Sequence, residues 1–364
     1  MTLDDILDPE EQPEEQLVEE QLRPQRLTDF PGQEPIKERA QISIKAAKAQ
    51  GKPLPHMLLS GPPGLGKTTL ARILANEMGV DYKATTGPII ERQVDLTAIL
   101  TSLESHDVLF IDEIHRLPHA VEETLYSAME DFEVDIMLGK GPTARSMRIS
   151  LNPFTLIGAT TRVGLLTPPL RARFGESYRF QYYSPEELKS IILRAARIFN
   201  VQIEPLGALE IAKRSRGTAR IANRLLERAR DYALVHGDGT INLEMANATL
   251  KIQGVDELGL EDTDKAIMHT LLEKFSGGPV GLNSLAVAIG EEAHTIEEVH
   301  EPYLIQVGFI KRTPQGRVAT PLAYKHFGLE PPAPVSPPQG MLFQLNGSKG
   351  PEREDPKQAP NKKE

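Results

Sequence analysis

The chain of 364 residues contains no cysteine, which removes structural disulfides, thiolate nucleophiles and Cys-based zinc sites from consideration. It has no apolar run approaching the roughly 20 residues needed to cross a bilayer. Its first residues are acidic, without the basic start and apolar stretch of a secretory leader. A soluble, cytoplasmic protein is expected, and the lack of cysteine is compatible with a reducing compartment. Positive charge is also short: the formal net charge is −10. Such a chain cannot coat nucleic acid with its whole surface, because phosphate binding depends on neutralisation by Lys and Arg. Any DNA contact has to be local.

What is present reads as several domains, since the length exceeds one typical unit. Residues 1–21, dense in Glu, Asp and Gln, and residues 331–364, rich in Pro, Gly, Lys and Glu, are expected to be disordered. Between them, short apolar runs at 56–60, 108–111 and 154–158 alternate with helical patterns. That alternation predicts an α/β unit with a parallel sheet over 22–183. From Ser184 one apolar face persists through Leu188, Ile191, Ile192, Ala195, Ala196 and Phe199, and another through Ile221, Leu225, Leu226 and Ala229. A small helical domain over 184–255 is expected. Beyond Asp256 the order is a helix at 264–275, a Gly277-Gly278-Pro279 break, a short helix, a third helix opened by a capping box from Thr295 to Glu298, and a hairpin at 309–320. Three helices and a β-ribbon predict a winged helix over 256–330.

The segment Gly61-Pro-Pro-Gly64-Leu-Gly66-Lys67-Thr68 fits G-x-x-x-x-G-K-[ST], with a predicted strand before it and a helix after it. Gly64, Gly66 and the helix N-terminus would turn backbone N–H groups towards phosphate, Lys67 would neutralise β/γ charge, and Thr68 would ligate Mg²⁺. A second buried run, 108–111, ends in Asp112-Glu113, at the strand edge where doubly wound sheets bind ligands. Asp112 suits the magnesium shell and Glu113 suits the base or orienter of an attacking water. A third run, 154–159, ends in Thr160-Thr161-Arg162, from which Thr161 can reach the γ-phosphate or the water. His115 and His119 lack partners at ligand spacing, and are expected on a helix surface rather than on a metal.

Taken together, the phosphate loop, Leu109-Phe-Ile-Asp-Glu-Ile-His115, Ile157-Gly-Ala-Thr-Thr-Arg162, Leu170-Arg-Ala-Arg-Phe-Gly175 and Arg216-Gly-Thr-Ala-Arg220 resemble the AAA+ order of Walker A, Walker B, sensor 1, arginine finger and sensor 2. Gly278-Pro-Val-Gly-Leu282 and Glu301-Pro-Tyr-Leu-Ile305 narrow the resemblance to the RuvB family of Holliday-junction branch-migration ATPases, over about 22–329. The resemblance implies an AAA+ P-loop domain, a lid and a winged helix, ATP/ADP with Mg²⁺ as cofactors, and a homohexamer. Further implications are action on Holliday junctions and duplex DNA in recombination, repair and the SOS response, and work with RuvA and RuvC.

Among residues, the resemblance makes Arg173 the finger that reaches a neighbouring subunit's γ-phosphate, with Arg171 as the alternative and an ordinary surface ion pair as the plain reading of either. Arg220 corresponds to sensor 2. Leu22, Arg23 and Tyr183 match positions around adenine and ribose, Thr69 adjoins the loop, and Glu130, Asp131 and Phe132 match another nucleotide-proximal segment. The hairpin of 134–151, with apolar Ile136, Met147 and Ile149, corresponds to the RuvA-docking element.

For DNA, the third helix carries Glu297, Glu298 and Glu301 without Lys or Arg, so phosphates would repel it and major-groove reading is not expected. The ribbon instead holds Lys311, Arg312 and Arg317 around its turn, which is suited to backbone contacts without sequence preference; cations that merely solubilise a sheet edge are the alternative. The family often has an Arg near Glu291-Glu292 where this chain has Ala293-His294. Three functions compete: a DNA motor, an ATP-licensed assembly switch of the clamp-loader type, and a metabolite kinase. The last leaves the Arg171-Ala-Arg173 segment and the lid without a role.

Overall fold

A computed structural model describes residues 21–138 and 145–331. The acidic segment before Gln21, the tail after Pro331, the hairpin turn at 139–143 and the Ile136 side chain, all named above, lie outside the described residues.

Five strands, β1 (Met57–Ser60), β2 (Tyr82–Thr86), β3 (Val108–Asp112), β6 (Thr155–Thr160) and β7 (Glu176–Arg179), form a parallel sheet in the order β2-β3-β6-β1-β7. Successive side chains on a strand point to opposite faces, and the core divides accordingly. Met57, Leu59, Val108 and Phe110 join one apolar cluster with α1 (Glu34–Gln50), α2 (Lys67–Met78) and the helical domain. Leu58, Leu109 and Ile111 join a second cluster with α3 (Gln93–Thr101) and α4 (His119–Glu130). The three central strands, β1, β3 and β6, are buried on both faces, which explains why they read as continuous apolar runs.

Register fixes the working edge. Ser60 pairs with Thr160, Ile111 with Gly158 and Thr86 with Asp112, so the loops after β1, β3 and β6 emerge side by side. Before β6, β4 (Glu133–Leu138) and β5 (Arg145–Ser150) pair antiparallel as a separate ribbon. Val134 and Leu151 are buried at its base and Met147 is exposed. Ile149 is partly buried against the second cluster, because its register partner is buried Val134.

After α5 (Pro168–Ala172) and β7, four helices form the lid: α6 (Pro185–Ile198), α7 (Pro205–Lys213), α8 (Ala219–His236) and α9 (Leu243–Ile252). Ser184 caps α6 in a reciprocal box with Glu187, the kind of pairing worth about 1 kcal/mol. The winged helix follows as α10 (Asp262–His269), α11 (Leu282–Ile289), α12 (Ala293–Thr295) continued by a π turn at Ile296–His300 and α13 (Glu301–Gln306), then β8 (Ile310–Thr313), β9 (Gly316–Ala319) and α14 (Pro321–His326). The third helix does not open on Thr295. Its N-cap is Glu292, and Thr295 lies inside the first turn, so the capping box read from the sequence does not form.

The lid and the winged helix are joined by a buried ion network. Arg216, with φ of 52°, donates to Asp264 and to the Gly259 carbonyl at 2.8 Å, and lies 3.2 Å from Glu261. His300 Nδ1 sits 2.7 Å from the second Asp264 oxygen, and the guanidinium stacks over Tyr303 at 5.1 Å. Burial pushes the Asp264 carboxyl up, but its bond to His300 and the Arg216 charge outweigh this and leave it below the ordinary range. Removing one partner strands the others in a dry site. Arg216→Ala is therefore expected to cost about 3–5 kcal/mol in the unfolding of the lid and winged helix, measured by urea denaturation followed by far-UV circular dichroism. An unchanged midpoint would mean that the network contributes nothing to stability.

Candidate nucleotide site and basic wing

The phosphate loop is shaped by glycine and clipped by the lid. Gly64 and Gly66 have φ of 74° and 90°, which side-chain-bearing residues rarely adopt. A Cβ on Gly66 would meet the Phe30 ring at 3.1 Å, and one on Gly64 would meet the Arg220 Cβ at 3.0 Å. The lid approaches this closely because the N–H groups of Ala219 and Arg220 donate to the Gly64 carbonyl at 3.1 and 3.4 Å. Tyr183 adds a second clip: its hydroxyl donates to the Leu65 carbonyl at 3.0 Å and its N–H to the Gly217 carbonyl at 2.9 Å.

Lys67 opens α2 and is buried, its Nζ donating to the carbonyls of Gly61 at 2.8 Å and Pro62 at 2.7 Å. Burial lowers its pKa to about 8, with Asp112 and Glu113 pulling it up and Arg220 pushing it down. Thr68 and Thr69 follow on the first turn, partly exposed. Leu22 is buried in the cluster that contains Tyr183, and its carbonyl accepts from Arg194. Burial pushes the Tyr82 phenol well above its ordinary value, and the nearby Arg72 and Arg23 charges oppose this.

On the strand edge, Asp112 Oδ1 accepts the Glu113 N–H at 2.9 Å. Glu113 takes a left-handed φ of 46°, and its carboxylate pairs with Arg116 at 2.9 Å. His115 is not on a helix surface as expected. It occupies a tight turn under β6, with Nδ1 3.0 Å from the Thr160 hydroxyl, and burial holds its pKa below the ordinary value. His119 is exposed near Glu123. Thr161 is exposed and lines, with Gly64, Glu113, Arg162, Thr218 and Arg220, a cavity of about 510 Å³.

Other expected residues gather elsewhere. Arg173 lies against α4: Nη2 pairs with Glu130 at 3.1 Å, Nη1 donates to the Pro169 carbonyl at 2.9 Å, and the guanidinium covers the Tyr126 ring at 4.5 Å. Arg171 is exposed. Asp131 caps α4, and the Phe132 ring packs on His56 and Phe154 at the base of the ribbon. Arg173 and Glu130 to Phe132 do not line the cavity at this chain's own phosphate loop.

In the wing, Lys311 is exposed on β8. Arg312 and Arg317 each make two hydrogen bonds to Glu301, at 2.9 and 2.8 Å and at 3.0 and 3.0 Å. The Glu301 side chain is only 1% exposed, and that of Arg317 16%. Glu301 is thus an anchor for the wing rather than a surface charge facing DNA, and Arg317 is largely committed to it. Glu297 and Glu298 are paired as well, with Arg162 just after β6 at 3.3 and 2.7 Å. Sequence reading missed Arg162, Arg216 and these glutamates as partners. The one available signal was that a helix with three acids and no bases needs cations from elsewhere.

The loop geometry yields a direct test. Gly64→Ala requires a left-handed conformation costing about 1–2 kcal/mol and places a Cβ against Arg220. It should raise proteolytic cleavage between the loop and the lid. Wild-type cleavage kinetics in this variant would show that the lid does not bear on the loop.

Three family profiles match the chain: the Holliday junction DNA helicase RuvB P-loop domain over residues 22–180, the RuvB AAA lid domain over 183–256, and the RuvB C-terminal winged helix domain over 257–328. Among solved structures, the Thermotoga maritima RuvB Holliday junction branch migration motor aligns with a TM-score of 0.77 at 51% identity, covering 85% of this chain and 99% of that one. Two single-site mutants of the Thermotoga protein align at the same identity and coverage, with TM-scores of 0.78 and 0.77. The phosphate loop, the lid clipped to it and the winged helix beyond thus recur together, in that order, and this chain belongs to the RuvB family.

Proposed function

We propose that the protein is the ATP-driven motor subunit of a Holliday-junction branch-migration machine, built as a P-loop domain (22–183), a lid (184–255) and a winged helix (256–330), and working as a homohexamer. The observation that carries this reading is the meeting of Lys67, Asp112-Glu113 and Thr161 at one sheet edge, in a chain matched by RuvB profiles from residue 22 to residue 328. RuvA, held through the 134–151 ribbon with Met147 at its exposed face, and RuvC are the expected protein partners.

The chemistry follows from the donor set. Lys67 and the loop N–H groups hold the β- and γ-phosphates of ATP, while Leu22, Arg23, Thr69, Tyr183 and Arg220 surround the rest of the nucleotide. The Thr68 hydroxyl and the Asp112 carboxylate are hard oxygen donors that fit Mg²⁺. No group of three or more His, Cys, Asp or Glu side chains among the described residues is arranged to hold a metal, so the ion would arrive with the phosphates, where it neutralises their charge. Glu113, once released from Arg116, orients the attacking water and accepts its proton, and Thr161 helps to position that water.

Arg173 acts in trans. Its contacts with Glu130 and Tyr126, away from the chain's own loop, suit an arginine presented to the neighbouring subunit together with Glu130, Asp131 and Phe132. A finger of this kind is worth about 10³–10⁵ in rate. Lys311, Arg312 and Arg317 would meet DNA backbone. No described helix is long and apolar enough to cross a membrane.

The deciding experiment is ATP-dependent separation of a synthetic four-way junction, with and without RuvA. Glu113→Gln and Arg173→Ala should each lower it by at least about 10² while leaving ATP binding intact. Turnover without strand movement in the wild type would instead identify an assembly switch.

The Lys67 ammonium, with its pKa near 8, gives a second test. Phosphate binds the charged form, so the pKa rises in the complex, and ATP affinity should be constant below pH 7 and fall by up to about tenfold per pH unit above 8. Titration with a fluorescent ATP analogue reads this, and a flat profile to pH 9.5 contradicts it.

A further inference from the structure

An ion pair of Arg162 links the winged helix to the catalytic edge. Arg162 follows Thr161 directly, and its Nη2 lies 2.7 Å from Glu298 and 3.3 Å from Glu297, across 135 residues of sequence. The three side chains are 34%, 26% and 31% exposed. Glu297 is shared: it also lies 3.6 Å from Arg312 and 3.8 Å from Arg317 in the wing. Glu113, Arg162, Glu297, Glu298 and Arg312 all face the cavity beside the phosphate loop. The third helix therefore forms one wall of the space that adjoins the site for the γ-phosphate.

We propose that Arg162 is a nucleotide-responsive latch: it holds the winged helix against the catalytic edge through Glu297 and Glu298, and an incoming γ-phosphate draws it away. The inference rests on the ATPase reading above and deepens it by naming a route from nucleotide to wing. Two electrostatic effects act in the same direction. Phosphate oxygens compete with the carboxylates for a planar fork of donors that accepts either. The same phosphate charge repels Glu297 and Glu298, which face it across a partly desolvated cavity. Half-exposed pairs of this kind are individually weak, as a latch opened once per cycle has to be.

The shared carboxylate extends the effect to the wing. A backbone phosphate of DNA that engages Arg312 takes one cation from Glu297 and leaves that carboxylate to Arg162. Nucleotide and DNA then draw on one set of charges from opposite ends, and each alters the affinity for the other by the same factor. Arg162 is a positioning residue in this scheme, acting through the placement of a domain.

The absence of cysteine makes the test direct. Ile89→Cys and Val287→Cys, at positions 70% and 84% exposed on the ATPase domain and the winged helix, carry a donor and acceptor dye in the full chain. Without nucleotide, the E297Q/E298Q double variant should shift energy transfer away from the wild-type value, to the value that the wild type reaches with the slowly hydrolysed analogue ATPγS. It should also bind ATPγS roughly fivefold more tightly, with ADP affinity unchanged. The charge swap R162E with E298R should restore the closed value, which excludes a general folding defect. Wild-type transfer in E297Q/E298Q, or a bound wild type whose transfer does not move, overturns the latch. Failure of the wild type to bind any nucleotide overturns the ATPase reading instead, and the nucleotide-free comparison of variants still decides the latch.

Discussion

The Gly64 carbonyl, accepting from the first N–H groups of α8, is the contact on which the working structure depends. Helix N-termini present unpaired donors, and here two of them are spent on the phosphate loop itself. The lid is consequently attached to the loop rather than merely placed above it, and any change in the loop's backbone is felt at the start of α8. Two residues before the cap of that helix, Arg216 enters the buried network with Glu261, Asp264 and His300. The segment from 216 to 220 is therefore a short rigid link with the phosphate loop at one end and the winged helix at the other.

Much of this was legible from local sequence. A phosphate loop, a buried strand ending in two acids and a strand ending in hydroxyls are each set by residues within ten positions of one another, and their physical reasons are local: glycine dihedrals, strand burial, charge at a sheet edge. The helical start at Ser184 and the paired strands of the wing were legible on the same grounds. Alternation of apolar runs and helical patterns gave the parallel sheet.

The rest depends on contacts between distant segments. Glu297, Glu298 and Glu301 look like a repulsive acidic face when the helix is considered alone, because the arginines that neutralise them come from the loop after β6 and from β8 and β9. Arg173 reads as a finger from its motif, but only the fold shows it laid over Tyr126 and bonded to Glu130. His115 reads as exposed until β6 is placed beside it. The N-cap of the third helix was misread because Thr295 is the better capping residue in isolation, while Glu292 and the Ile296–His300 π turn set the actual path.

The double embrace of Glu301 by Arg312 and Arg317 leaves the wing with little spare positive charge. Counterion release scales with the number of phosphates neutralised, so a single subunit of the proposed motor would grip duplex weakly. A ring multiplies such grips through effective concentration, and total affinity then comes from avidity, with every individual hold remaining easy to break. For a machine that must let go of the backbone at each step, a wing already half-neutralised by its own protein is a way to keep moving.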